Sequence, residues 1–183
     1  MPVLRAFELP QEQYKPLKKR LEAVVLEDWA LTTLSPHGFI GAQKFPLLRV
    51  VLGPQDDAFT EKGLFDFKSA LYTVTQDSNR MAAKLSGAPI EAKAGVDILS
   101  DGIVEGSVQV SANGQPIVML ADHQSTGGYA KIATVIPCDI PALAQVRPGQ
   151  RVGFRVVSVE EGAEACLKEK EKWTYLKEAI DHD

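Results

Sequence analysis

Cysteine and long apolar runs are scarce in this 183-residue chain, and each scarcity excludes a class of protein. Two cysteines, Cys138 and Cys166, cannot build a disulfide framework and are too few for a thiolate metal site, so we expect two reduced thiols. No apolar run reaches the roughly 20 residues of a membrane span. The opening MPVLRAFELPQEQ has no basic segment before an apolar core, so we expect no secretory signal. These absences predict a cytoplasmic protein.

Histidine and charge of one sign are also scarce. The net charge is −4, which gives no electrostatic reason to expect nucleic acid or an anionic membrane as a partner. The three histidines, His37, His123 and His182, have no metal-binding spacing, so no metal site is predicted. No P-loop motif is present, which excludes an ATP site of that type.

The apolar pattern that remains predicts a mainly β domain with flanking helices. Helical patterns cover residues 9–27 and 160–180, and a short helix is expected at Gln55–Phe67, with Gly63 breaking or capping it. Four apolar residues of the last helix are expected to form a docking stripe: Leu167, Trp173, Leu176 and Ile180.

Strand patterns account for most of the rest. The predicted strands are Leu47–Leu52, Ala70–Thr75, Ile103–Val110, Pro116–Ala121, Lys131–Ile136 and Arg151–Val157. The dipeptide Asn113-Gly114 favours a tight hairpin that pairs the third and fourth of these strands. Several short strands with such turns predict a closed or nearly closed antiparallel β-barrel.

Polar residues and a double glycine separate two apolar runs within residues 115–135. The polar residues are Asp122, His123, Gln124, Ser125 and Thr126, followed by Gly127, Gly128, Tyr129 and Lys131. A glycine loop of this kind exposes backbone N–H groups, which suit a carboxylate or a developing oxyanion. A polar turn without function is the alternative, and the pattern leaves both open. His123 is expected to be a loop residue or a substrate contact rather than a catalytic base.

Two further segments hold candidates for binding. Ser78 and Arg80 follow a predicted strand and precede a short helical stretch, and Arg80 can hold a carboxylate through two parallel hydrogen bonds. Helix capping by Asp77 or Ser78 is the alternative, and on pattern alone it is the stronger one.

In the strand 103–110, Gly106 permits close approach of a ligand or backbone, while an ordinary half-exposed strand is the alternative.

Five segments occur in a fixed order between Leu48 and Phe154: LRVVLGPQDDAFTEKGLFDF, YTVTQDSNRMAAKL, LSDGIVEGSVQV, NGQPIVMLADHQSTGGYAKIATVI and LAQVRPGQRVGF. Together they resemble the biotin-dependent carboxyltransferase family, which includes allophanate hydrolase subunit 2, the C subunit of 5-oxoprolinase and a domain of urea amidolyase. The resemblance implies a cyclophilin-like antiparallel β-barrel at 47–157. An N-terminal helix and linker at 1–46 and a C-terminal helix at 158–183 lie outside it. Only the C-terminal half of the family is recognisable here, and the active site of the family lies between two halves.

The resemblance also implies which residues bind substrate. These are Ser78, Arg80, Gln109, Gln115, Asp122, Gln124, Thr126, Gly127, Gly128, Tyr129 and Lys131, and Met81, Gly106 and Pro116 match the family as well. In the carboxyl-transfer version, the 126–128 loop and Lys131 hold a carboxylate while Arg80 and Gln109 position the acceptor. His123 stands where the family has arginine, which is expected to weaken anion binding. No catalytic residue is assigned.

The function implied is that of an enzyme component acting on a small amide or lactam. It would either transfer a carboxyl group from carboxybiotin to a urea-type acceptor or take part in ATP-dependent opening of 5-oxoproline. No biotin attachment sequence is present, so carboxybiotin or ATP would be presented by a partner subunit, and no cofactor is covalently bound. The expected partners are a subunit or domain of the N-terminal-half type and other subunits of an amide-processing complex. The alternative is a non-catalytic regulatory or binding module of the kinase-inhibitor-antagonist type.

Overall fold

The computed structural model describes residues 45–181, so the helix predicted at 9–27 lies outside the described residues. The strands are β1 Leu47–Leu52, β2 Tyr72–Val74, β3 Ala82–Ser86, β4 Asp97–Gly102, β5 Ser107–Val110, β6 Pro116–Met119, β7 Thr126–Tyr129, β8 Lys131–Val135 and β9 Arg151–Val156. The helices are α1 Glu61–Ser69, α2 Ile140–Ala144 and α3 Val159–Asp181, with single 3-10 turns at Asp56–Ala58 and Pro137–Asp139.

Seven of the strands in the described part of the chain close into a barrel, in the order β1-β8-β5-β6-β3-β2-β9. The predicted closed barrel is therefore confirmed. The prediction of purely antiparallel pairing is wrong, because β1 and β9 run parallel, with Leu47 opposite Gly153 and Val50 opposite Val156. An odd number of strands cannot alternate in direction all the way round a ring, so one parallel pair is required.

Branched aliphatic and aromatic side chains fill the barrel. Val108 and Val110 of β5 are fully buried, and Phe154 of β9 stacks on Phe67 of α1 with 4.6 Å between ring centroids. Thr60 begins α1 by accepting a hydrogen bond from the Gly63 backbone N–H at 2.9 Å. Gly63 neither breaks nor ends this helix, contrary to the prediction. A side chain there would meet the Glu91 carbonyl oxygen at 2.3 Å, so glycine permits a close approach of two backbones.

Strand β3 replaces the helical stretch that was predicted after Arg80. The Asn79 side-chain oxygen accepts from the backbone N–H groups of Met81 and Ala82, at 2.8 and 3.3 Å, and so closes a turn where a helix capped by Asp77 or Ser78 was expected. The strand then alternates buried Ala83 and Leu85 with exposed Lys84 and Ser86. The alternation covers only residues 83–86, and so short a stretch does not reveal a strand in a sequence whose composition favours helix.

The hairpin at Asn113-Gly114 is confirmed, since Val110 pairs with Pro116 and Gly114 adopts a φ of 77°. Helix α3 is also confirmed. Its docking stripe is wrong at Leu167 and Trp173, whose side chains are exposed. The side chains of Leu176 and Ile180 lie outside the described part. Within residues 45–181, no helix has the length and apolar character needed to cross a membrane.

Candidate functional site

Strands β4 and β7 form a separate two-stranded ribbon, called here the β4–β7 ribbon. Asp101 of β4 pairs with Gly127 of β7, and Asp97 pairs with Tyr129. The double glycine therefore lies in a strand, so its predicted place in an open loop is wrong, while anion binding by its backbone N–H groups stays a prediction. The segment Asp97–Gly102 reads DILSDG and is almost entirely exposed. It therefore lacks the alternation of apolar and polar residues that predicts a strand.

Gly127 brings the ribbon into contact with Gln109 of the barrel. A side chain at Gly127 would lie 2.7 Å from Gln109 Nε2 and 2.5 Å from Ile103 Cδ1. Gln109 is only 2% exposed, and its Nε2 donates to the Tyr129 carbonyl oxygen at 3.2 Å. Gly127 and Gln109 thus hold the ribbon on the outer face of the barrel, opposite the face that carries Val108 and Val110.

We expect Gly127→Ala to destabilise the fold by about 1–3 kcal/mol, the usual cost of adding a methyl group to a closely packed site. Gly128→Ala is the matched control, because a side chain there meets nothing nearer than the Ile98 carbonyl oxygen at 3.5 Å. Urea denaturation of both variants measures the difference. Equal stabilities would show that the ribbon does not rest on Gln109.

Lys131 joins the same ribbon contact from strand β8. The register of β5 and β8 shifts at Val108 and Gln109, and this bulge places Lys131 opposite Gln109. Lys131 is 5% exposed, and its Nζ lies 2.6 Å from Asp101 Oδ2 on the ribbon. Its backbone N–H donates to Gln55 Oε1 at 3.1 Å. Lys131 therefore faces the ribbon, where its charge is already matched by a carboxylate.

The ribbon contact should respond to acid. The hydrogen bond from Lys131, followed by one from the Gly102 backbone N–H, lowers the pKa of Asp101 below its ordinary value of 3.8. A lowered folded-state pKa stabilises the fold above the ordinary value, and this stabilisation is lost as pH falls through the folded-state value. We expect Lys131→Met to be less stable than the wild type at pH 6 and this difference in stability to narrow as the pH falls below 3.8. Urea denaturation over this pH range measures it, and a difference that does not change with pH would contradict the pairing.

A second group of polar residues lines a cleft of about 380 Å³, called here the Arg80 cleft. It lies between the beginning of β3, the end of β6 and helix α2. Its wall is largely apolar. The lining residues are Val74, Ser78, Asn79, Arg80, Ala83, Glu105, Leu120, Ala121, Ile140, Leu143, Ala144, Val146 and Pro148. An apolar cleft with a few polar groups is the usual form of a small-molecule site.

Arg80 is fixed at this cleft by Asp122. Its Nε lies 2.9 Å from Asp122 Oδ2 and its Nη2 lies 3.2 Å from Oδ1, while the Asp122 backbone N–H donates to the Arg80 carbonyl oxygen at 3.1 Å. The Arg80 side chain is 85% exposed. A two-point ion pair orients the guanidinium plane, and its remaining N–H donors can face an anion.

Ser78 and Gln115 have structural partners. Ser78 Oγ accepts from the Lys84 backbone N–H at 3.0 Å and donates to the Lys84 carbonyl oxygen at 3.2 Å, so it closes the turn before β3. The Gln115 side chain bonds both backbone groups of Gly87, at 2.7 and 3.2 Å. That contact lies at the opposite end of β3, roughly 17 Å along the strand. Gln115 is therefore remote from the Arg80 cleft.

The predicted binding residues thus fall into separate places. Ser78 and Arg80 line the cleft, and Asp122 contacts Arg80 there. The ribbon contact holds Gln109, Gly127, Tyr129 and Lys131. Gln124 and Thr126 are exposed, and neither lines the cleft. His123 Nδ1 lies 2.7 Å from the Gln124 carbonyl oxygen. Substrate binding by any of these residues stays a prediction.

Sequence reasoning missed Glu105, which lines the cleft together with Arg80. The pattern placed Glu105 in the middle of a strand. The structure places it in a turn, because Gly106 adopts a φ of +87° and β5 begins only at Ser107. A side chain at residue 106 would also lie only 2.6 Å from the Val135 carbonyl oxygen, so glycine is required there. Because residue 105 lies in this turn and not in a strand, the strand pattern of the sequence did not predict its place at the cleft.

Comparison with known proteins agrees with the family resemblance. The chain matches the family model described as "Carboxyltransferase domain, subdomain A and B" over residues 13–156, which includes most of the segment 1–46 that the five segments leave out. The C subunit of 5-oxoprolinase from Haemophilus influenzae is 37% identical over 145 residues, covering 78% of this chain and 47% of that protein. Its Escherichia coli counterpart is 37% identical over 118 residues, covering 64% and 38%.

Among solved structures, the Kluyveromyces lactis urea carboxylase shares the fold, with a TM-score of 0.65 and 22% identity over 78% of this chain and 13% of that one. The chain spans about half or less of the length of the curated relatives it matches. Barrel, motif order and family match agree, and the chain belongs to the carboxyltransferase-domain family.

Proposed function

We propose that the Arg80 cleft binds 5-oxoproline, as part of the substrate site of a multi-subunit 5-oxoprolinase. The observation that carries the proposal is an oriented guanidinium at the mouth of a small apolar cleft. The relatives at 37% identity are named as subunits of that enzyme, which supports this version over urea carboxylation. The likeness to urea carboxylase, at 22% identity, extends to the fold alone.

The chemistry of the cleft suits a cyclic amide that carries a carboxylate. The apolar ring packs against Leu120, Ile140 and Leu143, while the carboxylate accepts hydrogen bonds from Arg80. ATP, bound by a partner subunit, supplies the free energy of ring opening. This chain holds and orients the lactam, and the carboxybiotin-dependent reaction stays the alternative prediction for this chain.

Glu105 is expected to select for the lactam N–H. It lines the same cleft as Arg80, so a ligand whose carboxylate meets Arg80 can donate its ring N–H to the Glu105 carboxylate. A hydrogen bond to a charged group contributes about 1.5–3 kcal/mol. The wild type should therefore bind 5-oxoproline at least about 10-fold more tightly than tetrahydrofuran-2-carboxylate, which has oxygen in place of the N–H.

Calorimetry with both ligands tests this preference in the wild type and in Glu105→Gln. The variant keeps the size of the side chain but lacks the charge, and its preference should fall below that of the wild type. If the wild type binds both ligands equally, Glu105 has no part in recognition.

The function itself is tested by assaying the chain together with the subunits encoded beside it. We expect 5-oxoproline-dependent ATP hydrolysis that requires this chain. Hydrolysis that depends on urea and on a biotin carrier would overturn the proposal. If the chain binds its neighbours but no combination turns over either substrate, the regulatory alternative is the better account.

A further inference from the structure

The two cysteines of the chain meet, although 28 positions separate them. Cys138 Sγ and Cys166 Sγ are 2.9 Å apart, and both residues are free thiols of intermediate burial. Cys138 lies in the 3-10 turn Pro137–Asp139 that follows β8, and Cys166 lies on α3. The sequence showed only two scattered cysteines. Helix α3 is what brings them together.

Both cysteines are held in place by neighbouring contacts. Asp139, next to Cys138, binds the Arg49 side chain of β1, with Nε to Oδ2 at 3.0 Å and Nη2 to Oδ1 at 2.5 Å. Arg49 Nη2 also lies 3.6 Å from Cys138 Sγ. On the helix side, a side chain at Gly162 would lie 3.0 Å from Ile136 Cγ2, so α3 runs close to the end of β8. The sulfur atoms therefore lie between two fixed elements.

We propose that Cys138 and Cys166 are an oxidation site that closes reversibly into a disulfide and fastens α3 to the barrel. A disulfide has its sulfur atoms about 2.04 Å apart, so the pair needs to close by only about 0.9 Å. The bond would sit directly before α2, whose Ile140 and Leu143 line the Arg80 cleft. The disulfide would form whichever ligand that cleft binds.

The oxidant is hydrogen peroxide. The sulfur of one cysteine attacks the peroxide as a thiolate, the O–O bond breaks, and a sulfenic acid and one water form, the water taking up the proton of the thiol. The second sulfur then attacks the sulfenic sulfur, the S–S bond forms, and a second water leaves. Two thiols are oxidised by two electrons in total, and one peroxide is reduced to two waters. A small dithiol reverses the reaction by thiol–disulfide exchange.

The environment of Cys138 disfavours its thiolate. Burial, followed by its contact with Cys166, raises the pKa of Cys138 to about 12. Its sulfur is therefore a thiol at neutral pH, and thiols react with oxidants far more slowly than thiolates. Oxidation that begins at Cys138 should therefore be slow.

The test treats the full chain with hydrogen peroxide at neutral pH, blocks the remaining thiols with iodoacetamide and maps the peptides by mass spectrometry. We expect a peptide pair linked through Cys138 and Cys166 in the monomer, and its loss after treatment with dithiothreitol. The oxidised wild type should melt roughly 5 °C or more above the reduced form, because the link closes a loop of about 29 residues.

Cys138→Ser and Cys166→Ser are matched controls, each of which should form no internal link and show no peroxide-dependent rise in melting temperature. The proposal fails if the wild type accumulates sulfinic acid at both positions without the linked peptide. It also fails if the linked wild type melts at the temperature of the reduced form, because α3 is then not fastened by the bond. Both measurements use the wild type, so neither depends on the folding of a variant.

Discussion

Arg80→Ala is expected to weaken 5-oxoproline binding about 10- to 100-fold while leaving the fold intact. The lost interaction is a charge-assisted hydrogen bond, worth about 1.5–3 kcal/mol, and each 1.4 kcal/mol corresponds to a factor of about ten in affinity. The side chain is 85% exposed, so its ion pair with Asp122 should contribute at most about 1 kcal/mol to folding. Isothermal titration calorimetry measures the affinity, and thermal melting measures the fold.

Two controls separate the role of Arg80 from a general effect of charge. Lys84→Ala removes an exposed cation from β3 that does not line the cleft, and it should leave binding unchanged. Arg80→Lys keeps the charge but loses the planar fork, so it should retain part of the affinity. If Lys84→Ala and Arg80→Ala weaken binding equally, the cleft is not where the anion binds.

Asp139→Ala is expected to be the most destabilising substitution of an acidic residue in the described domain, at about 2–4 kcal/mol. Asp139 is 2% exposed, and its Oδ2 also accepts from the Arg49 backbone N–H at 2.7 Å. Removing one partner of a fully buried ion pair costs about 3–5 kcal/mol. The cost here should be lower, since the Arg49 side chain keeps 34% of its surface exposed. Urea denaturation measures the free energy of unfolding.

The chain offers a matched comparison in Asp122→Ala. Both aspartates hold an arginine through two oxygen atoms, but Asp122 does so at an exposed site, where an ion pair contributes about 0–1 kcal/mol. Asp139→Asn, which keeps the shape and one acceptor, should lie between the two alanine variants. Equal losses for Asp122→Ala and Asp139→Ala would contradict the argument from burial.

The barrel was predictable because most of its strands carry their own signals. Strand β1 has the predicted bounds Leu47–Leu52, and β5 and β6 meet at the predicted Asn113-Gly114 turn. The predicted beginning of β5 is four residues early, because Gly106 turns the chain with a positive φ. The sequence shows that residue 106 is glycine, but it does not show that its φ angle is positive.

The binding residues were less predictable because their roles depend on pairing across the fold. Lys131 follows a double glycine, which favours a solvent-facing anion site. Strand β4 covers it and supplies Asp101, and nothing in the sequence DILSDG predicts that pairing. The resemblance named Arg80 and Asp122 as binding residues, but neither it nor any sequence pattern predicted that the two side chains would form a two-point contact.

The parallel pair that closes the barrel also sets the order in which the domain can fold. Leu47 pairs with Gly153, which lies about a hundred positions later in the chain, and contacts of such long range slow folding. Until Arg151–Val156 is synthesised, both β1 and β2 present an open edge, which is the state in which nascent chains pair with one another. Strand β9 covers both open edges, so we expect the nascent domain to be prone to aggregation until β9 has been synthesised.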